Sequence, residues 1–189
     1  MIKINKCKLV MMKTKKIIIS GPPGSGKTTI INALNQKGYL IHPEINPKEI
    51  NKEVSRIELS TYIFRKRIKQ YKNLIKNNIE DDTKTNKNNY FFFFDRSLID
   101  VVAYMNFWKE KYPSRWNDLI MKNRYEKIIF YTPNWEEIYQ TTEQRPESYM
   151  EAKKIDLFLR EAFAQFNYKI IEIPKFNTSK RVNFILNKI

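Results

Sequence analysis

In the stretch Gly21-Pro22-Pro23-Gly24-Ser25-Gly26-Lys27-Thr28-Thr29, a lysine and two hydroxyls directly follow three of the chain's 4 glycines. Glycine, four residues, glycine, lysine and threonine is the spacing of a loop whose backbone N–H groups turn inward around phosphate oxygens. At its end the N-terminus of a helix adds its dipole to the same anion. The Lys27 ammonium is placed to reach the β- and γ-phosphates of ATP, and the Thr28 hydroxyl to hold Mg²⁺. The nine residues Gly21 to Thr29 are therefore the candidate ATP site, and the chemistry they serve is binding or transfer of a phosphoryl group.

Such chemistry needs a carboxylate and further cations. Asp95 closes the apolar run Tyr90-Phe91-Phe92-Phe93-Phe94. At the tip of a buried strand an aspartate can bind Mg²⁺ through water or take a proton from a nucleophile. Capping the next helix is its other use. Asp100, its nearest acidic neighbour, is expected to lie inside that helix and point elsewhere. Arg96 can grip phosphate with two N–H groups or pair with a surface acid. Glu44 follows a short apolar segment where an acceptor's hydroxyl would lie, although Pro43 and Pro47 also suit an ordinary turn. Arg145, in Gln144-Arg145-Pro146, stands before a long helical pattern. It can close over a triphosphate in the transition state or remain a surface charge.

The elements that must position these residues follow from periodicity. Ile17-Ile18-Ile19, Tyr39-Leu40-Ile41, Tyr90–Phe94, Lys127–Tyr131 and Tyr168–Ile173 read as five strands. Helical spacing follows the glycine loop, covers about 48–78 as one or two helices, and runs from Ser97 through Trp108. It returns along the face Ile155, Phe158, Leu159, Ala162, Phe163 and Phe166, and from Thr178 to the end. Asn134 and Glu137 read as the cap of a helix starting at Trp135. Alternating strands and helices predict a three-layer α/β/α domain. Its sheet is mainly parallel and about five-stranded, with helices on both faces and ligands beyond the carboxyl ends of the strands. Residues 1–14 read as a basic extension, with Met11 or Met12 as an alternative start. Residues 15–189 form one domain with a mobile polar loop at about 80–89 and a small lid at about 140–150.

Composition narrows the class. The chain has 189 residues, 42% hydrophobic, with 1 cysteine and 1 histidine. A disulfide framework or a zinc site of the usual ligands is thereby excluded. No apolar run reaches the roughly 20 residues that span a bilayer, and the N-terminus makes a poor signal peptide, so the expected compartment is the cytoplasm. The net charge of +15 raises the prospect of nucleic acid. Its lysines are spread along the chain, however, and the densest cluster, Arg65 to Lys76, reads as the solvated face of a helix whose apolar stripe is Phe64, Ile68, Tyr71 and Ile75. Weak, non-specific nucleic-acid binding is the expectation.

With the glycine loop, the turn Phe94-Asp95-Arg96-Ser97 and the segment Trp135-Glu136-Glu137-Ile138-Tyr139…Arg145-Pro146-Glu147-Ser148, the chain resembles the NadR-like AAA-domain family of P-loop ATPases and kinases. The resemblance runs from about Lys16 to Ile189. Its usual form has aspartate where Thr142 stands and arginine where Pro47 stands. The resemblance implies Mg²⁺-dependent transfer of the γ-phosphoryl of ATP to a small, nucleoside- or nucleotide-like acceptor. Lys27, Asp95, Glu44, Arg96 and Arg145 would be catalytic, with Thr28 and Asp95 at the metal. The alternatives are an ATPase or nucleotide switch without an acceptor, and a polynucleotide-binding or end-kinase protein. No NKxD-type segment supports a guanine-specific GTPase.

Overall fold

The computed structural model describes residues 13–50, 53–73, 89–141 and 147–189. Arg145 and Thr142, and the polar loop up to residue 88, lie outside these residues. Five strands alternate with six α-helices among the described residues: β1 (Lys13–Ser20), α1 (Lys27–Gln36), β2 (Leu40–His42), α2 (Arg56–Lys72), β3 (Asn89–Asp95), α3 (Leu98–Phe107), α4 (Arg115–Lys122), β4 (Ile128–Tyr131), α5 (Tyr149–Gln165), β5 (Lys169–Glu172) and α6 (Thr178–Leu186). All strand pairs are parallel, in the order β2-β3-β1-β4-β5.

Where both faces of the central strands are covered, successive residues are apolar, as in Ile17-Ile18-Ile19, Phe92-Phe93-Phe94 and Ile129-Phe130-Tyr131. Alternation then divides the core in two. Ile17, Ile19, Phe93 and Phe130 pack with Ile30, Ile31 and Leu34 of α1 and Val182 and Ile185 of α6. Ile18, Phe92, Phe94, Ile129 and Tyr131 pack on the opposite face with α2, α3, α4 and α5, through residues such as Phe64, Leu98, Ile120 and Phe163. The predicted three-layer architecture stands.

Several local expectations change. β1 starts at Lys13, two residues inside the expected extension, because Lys13 and Thr14 pair with Asn89 and Tyr90. The segment after β4 is a single 3-10 turn, Glu136–Ile138, with no side-chain cap, rather than a capped helix. α5 begins at Tyr149, where Ser148 and Glu151 form a reciprocal cap.

Candidate active site

Register builds the site. Ile19 pairs with Asp95, Ser20 with Tyr131, and His42 with Phe94. The residues that leave four strands, Gly21, Arg96, Thr132 and the pair Pro43–Glu44, therefore emerge side by side.

Between β1 and α1 the loop glycines take φ of 145° (Gly21), 74° (Gly24) and 82° (Gly26). A Cβ on Gly21 would lie 2.2 Å from the Thr132 carbonyl oxygen, so the exits of β1 and β4 can run together only over glycine. Ser25 Oγ donates to the Pro22 carbonyl (2.7 Å) and lies 2.6 Å from Thr132 Oγ1. Lys27 Nζ turns back onto its own loop, donating to the Pro22 carbonyl (2.6 Å) and to Ser25 Oγ (3.3 Å). Burial pushes this ammonium down to about 7. Repulsion from Arg96 adds to that, and Asp95, Glu44 and Asp100 oppose it.

Thr28 Oγ1 donates to Asp95 Oδ2 at 3.4 Å. The other carboxylate oxygen of Asp95 is buried and has no hydrogen-bond partner among the described residues. Burial, and then Glu44, push the Asp95 carboxyl above its ordinary range, against the pull of Lys27, Arg96 and Arg67. An unsatisfied buried oxygen is costly. A hard divalent cation held by the Thr28 hydroxyl and the Asp95 carboxylate would satisfy it, so these residues fit Mg²⁺. No cluster of three or more His, Cys, Asp or Glu suited to a metal occurs among the described residues, so phosphate and water would supply the remaining ligands.

Arg96 is buried and adopts φ 68°, a conformation that costs a side chain about 1–2 kcal/mol. Its surroundings hold it there. The Arg96 N–H donates to the Ile19 carbonyl (3.0 Å), Nε donates to Glu44 Oε1, and Nη1 lies 3.4 Å from the Gly21 carbonyl and 3.7 Å from Asp100 Oδ1. Burial alone would raise the Glu44 carboxyl, but the charges of Arg96, Lys27 and Arg67 overrule it and hold it at about 2. Lys27, Thr28, Glu44, Asp95 and Arg96 thus converge.

Two further residues belong to this constellation. Asp100 does not point elsewhere: it sits in the first turn of α3, buried, with Oδ1 accepting from Ser20 Oγ (2.6 Å) and Oδ2 from the Ser97 N–H and hydroxyl (2.7 Å each). Ser97, not Asp95, caps α3, and the Ser97-x-x-Asp100 spacing carried that signal. Arg67 is likewise not on a solvated face. It is 3% exposed and donates from Nη1 to the Asp95 carbonyl (3.0 Å). Its place three residues after Phe64 puts it within the apolar stripe of α2.

The family described as an AAA domain matches residues 16–181. No curated protein matches the chain. Solved structures share its fold at low identity. A deoxyadenosine kinase from M. mycoides with bound dATP superposes with a TM-score of 0.62 at 17% identity, covering 92% of this chain and 98% of that one. A thymidylate kinase from Candida albicans gives 0.64 at 15%, covering 94% and 91%. The YorR protein of Bacillus subtilis, in complex with phosphorylated GDP, gives 0.57 at 14%, covering 92% and 95%.

Proposed function

We propose, from the premise that the chain belongs to the AAA-domain family, that it is an Mg²⁺-dependent phosphotransferase. It would move the γ-phosphoryl of ATP to a hydroxyl or phosphate of a small nucleoside- or nucleotide-like acceptor. One observation carries this reading: Thr28 and the half-satisfied Asp95 meet beside Lys27, with the Glu44–Arg96 pair at the next strand exit. The solved kinases of like fold support it.

The residues divide the work. The loop amides and Lys27 would hold the polyphosphate, Lys27 exchanging the Pro22 carbonyl for phosphate oxygens. Thr28 and Asp95 would hold Mg²⁺, which when bound neutralises charge developing between the β- and γ-phosphates. Arg96 keeps Glu44 ionised. Glu44 would accept a hydrogen bond from the acceptor's hydroxyl and aim it. At a pKa of about 2 it is a weak base, but a loose transition state asks little of a base and much of positioning. Arg145 is proposed as the cation that closes over the transferring group. The cytoplasm is the proposed compartment. No helix among the described residues is long and apolar enough to cross a membrane.

Mg²⁺–ATP turnover by the purified chain, against Lys27→Ala, tests the reading. Loss of the ammonium is expected to lower turnover by on the order of 10²-fold or more. Equal turnover in the two proteins would overturn the assignment.

A further inference from the structure

One cation at the phosphate loop has no part in that mechanism. Arg181, from α6, is 4% exposed. Its Nη2 donates to the Ser25 carbonyl (3.0 Å), and its guanidinium carbon lies 5.4 Å from the centre of the Trp135 ring. A Cβ on Gly26 would come within 2.7 Å of Arg181 Nη1 and 3.4 Å of Ile138 Cδ1. Gly26 thus lets α6 and the segment after β4 close on the last turn of the loop. Trp135 and Ile138 belong to the motif that marks the family resemblance, and the phosphoryl-transfer mechanism leaves both unused.

Arg96 pairs with Glu44 and Asp100, and Arg160 with Asp156 and Glu172. Arg67 makes no ion pair and also has a buried Nε without a partner among the described residues, but its charge acts on Asp95 and Glu44. Arg181 has no carboxylate within ion-pairing distance among the described residues, and its Nε is buried without a hydrogen-bond partner. Burial lowers its pKa to about 10. A buried charge without a counter-ion costs stability. In a protein that binds a polyphosphate at this loop, the ligand is the missing anion.

We propose that Arg181 is a positioning residue of the nucleotide site: a guanidinium clamped between Trp135 and the Ser25 carbonyl, with the polyphosphate of the bound nucleotide as its counter-charge. This rests on the nucleotide-binding reading above. A residue that only braced the fold would lower the melting temperature when replaced, and lysine and glutamine would be equally poor substitutes. A charge awaiting its anion behaves otherwise. Neutralising it leaves the free protein as stable or more so, and weakens the ligand.

The experiment is calorimetric titration with Mg²⁺–ADP, alongside melting without nucleotide, for wild type, Arg181→Gln and Arg181→Lys. Arg181→Gln, which can still donate to the Ser25 carbonyl, is expected to melt at or above the wild-type temperature and to bind roughly tenfold more weakly. Arg181→Lys, which keeps the charge, is expected to stay within about threefold of wild type. Wild-type affinity in Arg181→Gln, or a lowered melting temperature with equal losses in both variants, overturns the proposal. So does an Arg181→Gln protein that fails to fold, because the proposal assigns this charge no role in stabilising the free protein. A wild-type protein that binds no Mg²⁺–ADP removes the nucleotide reading itself, a result distinct from the others.

Discussion

Asp95 and Asp100 are both 1% exposed at the same end of the sheet, but only Asp100 has each of its oxygens hydrogen-bonded. Asp95→Asn is therefore expected to depress turnover by on the order of 10²-fold while the melting temperature stays near wild type. Asp100→Ala strips Ser20, Ser97 and Arg96 of their shared acceptor. It is expected to cost about 3 kcal/mol in urea denaturation. The reverse pattern would exchange the roles of the two acids. Glu44 makes a separate prediction. Its folded pKa lies below the ordinary 4.5, so the stability it contributes is fully present above that pH and is lost as pH falls towards about 2. Below pH 4.5 the wild-type melting temperature should fall more steeply than that of Glu44→Gln, and parallel curves would show that the ion pair adds nothing to the fold. The phosphate loop was legible because its chemistry is contiguous in sequence. Arg67 and Arg181 were not, because each sits within the apolar stripe of a helix, where a buried cation and a long solvated one look alike until the partner is known.

Among the elements, the sequence of α2 predicts a basic helix with one apolar face. The structure splits its cations: Arg65 is exposed, whereas Arg67 reaches across to the Asp95 carbonyl at the end of β3. Arg67→Ala is expected to destabilise the protein by about 2 kcal/mol and Arg65→Ala by less than about 0.5 kcal/mol in urea denaturation. Equal small effects would mean that α2 does not brace the β3 exit. The strands and long helices were readable from period alone. α4 was not, although Trp116, Leu119 and Ile120 have helical spacing, because eight residues give barely two turns of pattern. The segment after β4 misled for a related reason. Asn134 and Glu137 have capping spacing, but the chain makes one 3-10 turn and then spends Tyr139 on the Glu147 carbonyl (2.6 Å).

Across the whole molecule, register rather than any single motif makes the site, since parallel pairing sets the exits of β1, β2, β3 and β4 at one edge. The strand–helix alternation was enough to foresee that edge. Which helices crossed above it depended on side chains far apart in sequence. The net charge of +15 is a property of the same scale. Nucleic-acid binding is expected to stay in the range of roughly 10⁻⁴–10⁻⁶ M at physiological salt, and a nanomolar, end-specific complex would favour a polynucleotide substrate. The central claim is transfer of a phosphoryl group to a small acceptor. It is tested most directly by incubating the purified chain with γ-labelled ATP, Mg²⁺ and a panel of nucleosides and nucleoside monophosphates. Label is expected on at least one acceptor, faster than release of free phosphate, and abolished by Lys27→Ala. Label found only as free phosphate, at a rate no acceptor alters, would contradict that claim.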